Sequence, residues 1–113
     1  MNKRKVYRDY RERTYDHELT LIKNTTSYDE LGNPIKNEER TSVLCDVQSI
    51  GQREFYEASN HGLKPSKTFI IHSFEYNGAN IVEFEGERYK IIRTYETDDG
   101  ELELTCEKVI GNG

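Results

Sequence analysis

Ser49-Ile-Gly-Gln-Arg-Glu-Phe-Tyr-Glu-Ala-Ser-Asn-His-Gly-Leu-Lys-Pro-Ser-Lys-Thr-Phe-Ile-Ile71 is the stretch in which a strand pattern gives way to a helix and then returns. Ser49 and Gln52 stand in the S-x-x-Q relation of a capping box, which predicts a helix start there. Phe55, Ala58 and Ser59 fall at i, i+3 and i+4 and make one short semi-apolar stripe. Gly62 can take the left-handed conformation that ends a helix, and Pro65 blocks continuation. The expected helix therefore covers about residues 50–61. A short helix set into a β domain serves either as a cover over one end of a barrel or as the working surface on a rigid scaffold.

On both sides of this stretch the chain reads as β. Strand one is expected at His17 to Asn24, followed by the turn residues Asp29, Gly32, Asn33 and Pro34. Strand two emerges from the polar run Lys36 to Thr41 and reaches Gln48, with Val43, Cys45 and Val47 on one face. Strand three, Lys67 to Tyr76, is apolar on both faces and should be covered on both sides. A short strand over Asn80 to Glu85 is joined to Arg88–Glu96 by a hairpin with Gly86-Glu87 at its turn. Asp98-Asp99-Gly100 turns the chain into strand six, Glu101 to Val109, where Leu102, Leu104 and Cys106 alternate with carboxylates and Thr105. Six hairpin-linked antiparallel strands predict a mainly β fold, a small six-stranded β-barrel or sandwich with one inserted helix.

The totals suit one such domain. The chain has 113 residues, of which 34% are hydrophobic and 33% charged, so the core is thin; eight Tyr and four Phe offset this, because each aromatic buries much area. Residues 1–16 form a charged arm with six basic and three acidic groups, a net of +3. The whole carries -5, so the remainder carries -8. The arm reads as a frayed end or as a segment that orders against a partner. Residues 17–110 are the barrel domain and 111–113 a frayed tail. No apolar run is long enough to span a bilayer, and no secretory signal is read, so no membrane partner is expected. Cys45 and Cys106 are then expected as two buried thiols in a reducing compartment, with a disulfide across neighbouring strands as the alternative.

The search for chemistry is sparse. His17, His61, His72, Cys45 and Cys106 show no metal-ligand spacing, and His72 reads as a satisfied structural group. A Cys45–His72 nucleophile pair is conceivable, but Cys45 shares a face with Val43 and Val47 and should be buried. Asp98-Asp99-Gly100-Glu101 lacks the alternating ligands of a calcium loop, and no phosphate loop is present. Arg88, Tyr89, Lys90, Arg93 and Tyr95 interleave bases with aromatics, as a nucleic-acid strand would, yet an ordinary amphipathic strand in an acidic chain looks the same. The reading is no enzyme, no metal and no cofactor.

The order of features resembles a known family. The turn Tyr28-Asp-Glu-Leu-Gly-Asn-Pro-Ile35, the core Arg53-Glu54-Phe55-Tyr56-x-Ala58, the strand Lys67-Thr-Phe-Ile-Ile71 and Tyr89-Lys-Ile-Ile-Arg-Thr-Tyr95 are similar to the small head-tail joining proteins of long-tailed phages and prophages. These are also called head-closure, stopper or connector proteins. Where the family often carries a Trp, Thr41 to Val43 stand here. The resemblance implies a non-catalytic virion protein, made in the bacterial host cytoplasm, that sits at the head–tail interface. It implies a homo-oligomeric, twelve-fold ring between portal or adaptor and tail-joining proteins, with DNA passing through and retained without sequence-specific binding. It places subunit or ring contacts on Arg53, Glu54, Phe55, Tyr56 and Ala58. One of Phe55 and Tyr56 is expected to plug the barrel and the other to meet a neighbour. Carboxylates from Glu83, Glu85 and Glu87, or from Asp98 and Asp99, are expected to face the bore, where acid would repel phosphate. The gating loop is expected in Gly51 to Lys67 or in Tyr28 to Asn37. The alternative is a stand-alone small barrel that binds a peptide or nucleic acid.

Overall fold

The sheet closes in the order β1-β2-β3-β6-β5-β4, every neighbour antiparallel, in a computed structural model that describes residues 13–110. The strands are β1 (His17–Tyr28), β2 (Pro34–Ser49), β3 (Lys67–His72), β4 (Ile81–Phe84), β5 (Glu87–Glu96) and β6 (Glu101–Lys108). Between β2 and β3 lies the helix α1 (Gln52–Ser59), and a 3-10 turn, Ser73–Glu75, follows β3. The chain is thus a mainly β, closed six-stranded barrel with one short helix. The expected tail lies outside the described residues, as do residues 1–12 of the expected arm.

Alternation fills the barrel. Leu19, Leu21, Val43, Cys45, Phe69, Ile71, Val82, Phe84, Tyr89, Leu102, Leu104 and Cys106 form one buried cluster. Phe69 is its centre, with its ring 5.1 Å from Phe84 and 5.4 Å from Tyr89 in tilted and edge-on geometry, the arrangement aromatic quadrupoles favour. β3 is buried from Thr68 to Ile71, as two apolar faces between β2 and β6 require. It ends at His72, four residues before the expected boundary, where the 3-10 turn takes over.

The largest departure from expectation is the length of β1 and β2. They pair from His17↔Cys45 to Tyr28↔Pro34. β1 meets β4 only through Thr20, Leu21 and Ile22, and β2 meets β3 only through Asp46 to Ser49. Residues 23–28 and their partners 34–39 therefore leave the barrel as a two-stranded ribbon. Its polar sequence carries no burial pattern, which is why periodicity alone ended strand one at Asn24. A charged clasp fastens its foot. Arg40 reaches Glu38 at 3.2 Å and Glu83 of β4 at 2.5 Å, and Arg88 of β5 donates to both oxygens of Glu38 at 3.1 and 3.3 Å.

The β4–β5 hairpin also differs from the sequence reading. Its turn residues are Glu85-Gly86, not Gly86-Glu87, with φ of 52° and 81°. Two left-handed residues make the type I′ geometry that matches strand twist, a geometry Asn-Gly usually supplies. Glu85 holds a conformation that costs an ordinary L-residue about 1–2 kcal/mol. Glu85→Asn is expected to raise unfolding stability by about 1 kcal/mol, measured as a higher urea midpoint at unchanged slope.

Candidate interaction surfaces

α1 starts without the expected capping box. Ser49 is the last residue of β2, Gly51 is the N-cap in extended backbone, and no side chain caps the helix. Continuing β2 to Ser49 takes that side chain away from the helix end. The C-terminal reading holds: Gly62 is left-handed (φ 77°), and Leu63 N–H donates to Ala58 O at 3.0 Å. The helix buries none of its residues. Phe55 is 39% and Tyr56 60% exposed, and neither belongs to the core, so neither plugs the barrel. Phe69, Phe84 and Tyr89 already occupy that space. The two rings lie edge to face on the surface, 6.4 Å apart.

Of the other residues singled out on the helix, Glu54 is ion-paired with Arg93 of β5, and Ala58 is half-buried. Arg53 is exposed and, among the described residues, has no ion-pair partner. Between α1 and the barrel wall runs a groove of about 420 Å³ whose apolar lining is Ala58, Leu63, Pro65 and Ile92. Ile92 is aimed there by a bulge in β5, where register jumps from Ile91↔Cys106 to Arg93↔Thr105.

A second surface is the ribbon tip. Asp29 accepts hydrogen bonds from Leu31 N–H (2.9 Å) and Asn33 N–H (2.8 Å), while Gly32 sits at φ 86°. These bonds hold the Asp29 carboxyl below its ordinary range, Asn33 contributing most. On this fixed turn Tyr28, Leu31 and Ile35 are exposed, Leu31 at 86%. Sequence reasoning found the turn but not the tip; the clue was a Leu in the middle of a polar turn.

The five acidic candidates do not gather. Glu83, Glu85 and Glu87 surround the β4–β5 turn, whereas Asp98 and Asp99 occupy the turn at the opposite end of β5. Glu83 is matched by Arg40, and Glu87 by Lys108 at 2.5 Å; Asp99 accepts from the Thr97 hydroxyl. Glu85 is exposed.

A third cluster was not foreseen. Arg13 donates to Asp46 of β2 at 2.9 Å and to Glu101 of β6 at 2.7 Å, so it straddles β3 on the outer wall. Tyr15 donates to the same Glu101 oxygen and stacks on His72 at 4.1 Å, and His72 in turn stacks on Phe74 at 5.7 Å. Burial, then the bond to Glu101, pushes the Tyr15 hydroxyl up to about 12.

His72 thus points outward while Cys45 points into the core, so they form no pair. Both thiols are free, and burial pushes each up to about 12. On β5, Tyr89 is in the core, Arg88 is bound to Glu38 and Arg93 to Glu54. Among the described residues no three His, Cys, Asp or Glu side chains gather into a metal-holding group. No helix is long and apolar enough to cross a membrane.

The family described as phage head completion protein matches residues 10–109. The solution structure of protein SF1141 from Shigella flexneri 2a superposes with a TM-score of 0.70 over 87% of this chain and 96% of that one, at 13% identity, which shows a shared fold. A comparison with curated proteins found no match.

Two measurements follow. Arg93→Ala is expected to speed amide exchange across residues 52–63 while changing global stability by no more than about 1 kcal/mol, because the pair is largely exposed. The thiols stay protonated in the fold above the ordinary thiol value of 9.0, where the unfolded chain ionises. Their contribution is whole below pH 9 and is lost between pH 9 and about 12. A Cys45→Ala, Cys106→Ala protein should show a shallower alkaline fall in urea midpoint.

Proposed function

The chain belongs to the phage head completion protein family, and from that premise we propose that it acts as a head–tail connector of the head-closure type. The coarse part needs no proposal: the family is one of structural proteins of the phage head, located in the virion. The finer reading is a ring of copies, twelve-fold as the resemblance implies, between portal or adaptor and tail-joining proteins. DNA passes through its bore and is retained there.

The observation that carries this reading is the family match across residues 10–109, which takes in the barrel, the helix and the ribbon together. The surfaces support it. A lone subunit leaves a helix with no buried residue and an apolar tip at the end of a ribbon. Such unpartnered features are stabilised by neighbours. Arg53, Phe55 and Tyr56 meet an adjacent subunit or ring, while Glu54 and Ala58 hold α1 against the wall.

For the bore, Glu85 is the stronger candidate. Glu83 and Glu87 are already neutralised, and Asp98 and Asp99 lie at the other end of β5. A carboxylate kept in a strained left-handed turn, where Asn would fit better, is the kind of outlier found at working positions. Repeated around a ring, it would repel phosphate and let DNA slide.

Electron microscopy of the purified protein mixed with portal complexes tests the reading. A ring seated on the portal is the expected image, with little salt-dependent DNA affinity. A protein that stays monomeric beside the portal and binds DNA with a steep salt slope would overturn it in favour of a nucleic-acid module.

A further inference from the structure

Resting on the ring reading above, we infer that neighbouring copies meet head to tail, the ribbon tip of one copy seating in the groove beside α1 of the next. The two surfaces fit in kind. The tip presents Tyr28, Leu31 and Ile35, exposed and carried on a turn fixed by Asp29. The groove has an apolar wall of Ala58, Leu63, Pro65 and Ile92 inside an otherwise polar lining and, at about 420 Å³, has room for a few side chains. Because hydrogen bonds already hold the turn, little ordering cost remains to be met on docking.

Geometry names the occupant. The tip's turn leads into Pro34 and the groove segment follows Ser49, the two ends of β2. Sixteen residues of strand separate them by roughly 50 Å. A clasped ribbon cannot fold back that far, so a tip reaches only another copy's groove. Tip and groove are different surfaces, so the contact is heterologous, and heterologous contacts generate rings when the rotation closes.

Charge agrees. The tip carries Asp29 and Glu30. Beside the groove, Glu54 is matched by Arg93, and Glu107 accepts from Lys64 N–H. Glu57 and Glu107 stay charged nearby, since a bond to a neutral amide does not discharge a carboxylate; among the described residues the Arg53 and Lys64 side chains are without an ion-pair partner. An acidic tip meets them favourably, in a rim contact that tunes association more than affinity.

The test uses one variant on each half. Leu31→Asp spoils only the tip, at a position 86% exposed, so the fold should be unaffected. Ile92→Asp spoils only the groove; should it disturb folding by circular dichroism, Ala58→Arg on the helix side replaces it. Sedimentation is run on each protein at high concentration and with portal complexes. Each variant alone is expected to lose the large species formed by the unmodified chain. An equimolar mixture of the two should recover one contact and sediment as a dimer, since each partner keeps the half the other lacks. If the unmodified chain forms rings and Leu31→Asp forms them equally well, the head-to-tail contact is wrong and the ring stands. If Leu31→Asp loses only the portal contact while self-assembly persists, the tip's partner is the portal and the inference is overturned. If the unmodified chain never associates, alone or with portal complexes, the ring reading fails and takes this contact with it.

Discussion

The shortest strand sets the depth of the barrel, and everything longer must leave it. β4 has four residues, and β1 joins it through only three pairs, Thr20↔Glu83, Leu21↔Val82 and Ile22↔Ile81. That seam closes the sheet and removes its edges. β1 and β2 run to 12 and 16 residues, so their surplus stays paired only with itself. The ribbon is a by-product of closure and carries an apolar tip at one end of β2; a helix with no buried face lies just past the other. The ribbon tip traces back to this mismatch in strand length.

How a chain with 34% hydrophobic residues affords such a fold is visible on the outer wall. Ile22 and Ile70 are fully buried, yet neither is part of the interior cluster. Arg40 stands directly across from Ile22 and reaches over β1 to Glu83; Arg13 straddles β3 at the level of Ile70 and His72. Guanidinium stems lay their methylenes over aliphatic surface while their heads stay in ion pairs. Single exposed pairs contribute little, but these are shared networks, with Glu38 serving two arginines and Arg13 two carboxylates. A large charged fraction and an adequate core are therefore compatible here.

Most of the barrel was legible in the residues. Leu102, Leu104 and Cys106 alternate as they face, and β3 announces burial on both sides by its unbroken apolar run. What was illegible had no burial signal to read. The ribbon strands are held by pairing and by the clasp, and their composition equals that of a loop. Ser49 had two uses open to it, cap or strand end, and pairing with Lys67 decided the matter. Phe55 is an apolar residue at helical spacing, which reads as core unless the interior is known to be full. The candidate site was legible as a segment, in Arg53 to Ala58, but not as a surface, because the groove depends on a β5 bulge that no local pattern marks.

The Arg13–Glu101 contact joins residues 88 positions apart, the first described residue to the last strand. During synthesis, therefore, Arg13 can meet Asp46 once β2 exists and Tyr15 can meet His72 once β3 exists, but the Glu101 carboxylate they share comes only with β6. The latch on Arg13 and Tyr15 is completed only when β6 docks beside β3, a long-range event of the slow kind that high contact order imposes. A complete latch thereby marks a closed barrel, and a chain without β6 lacks the mark.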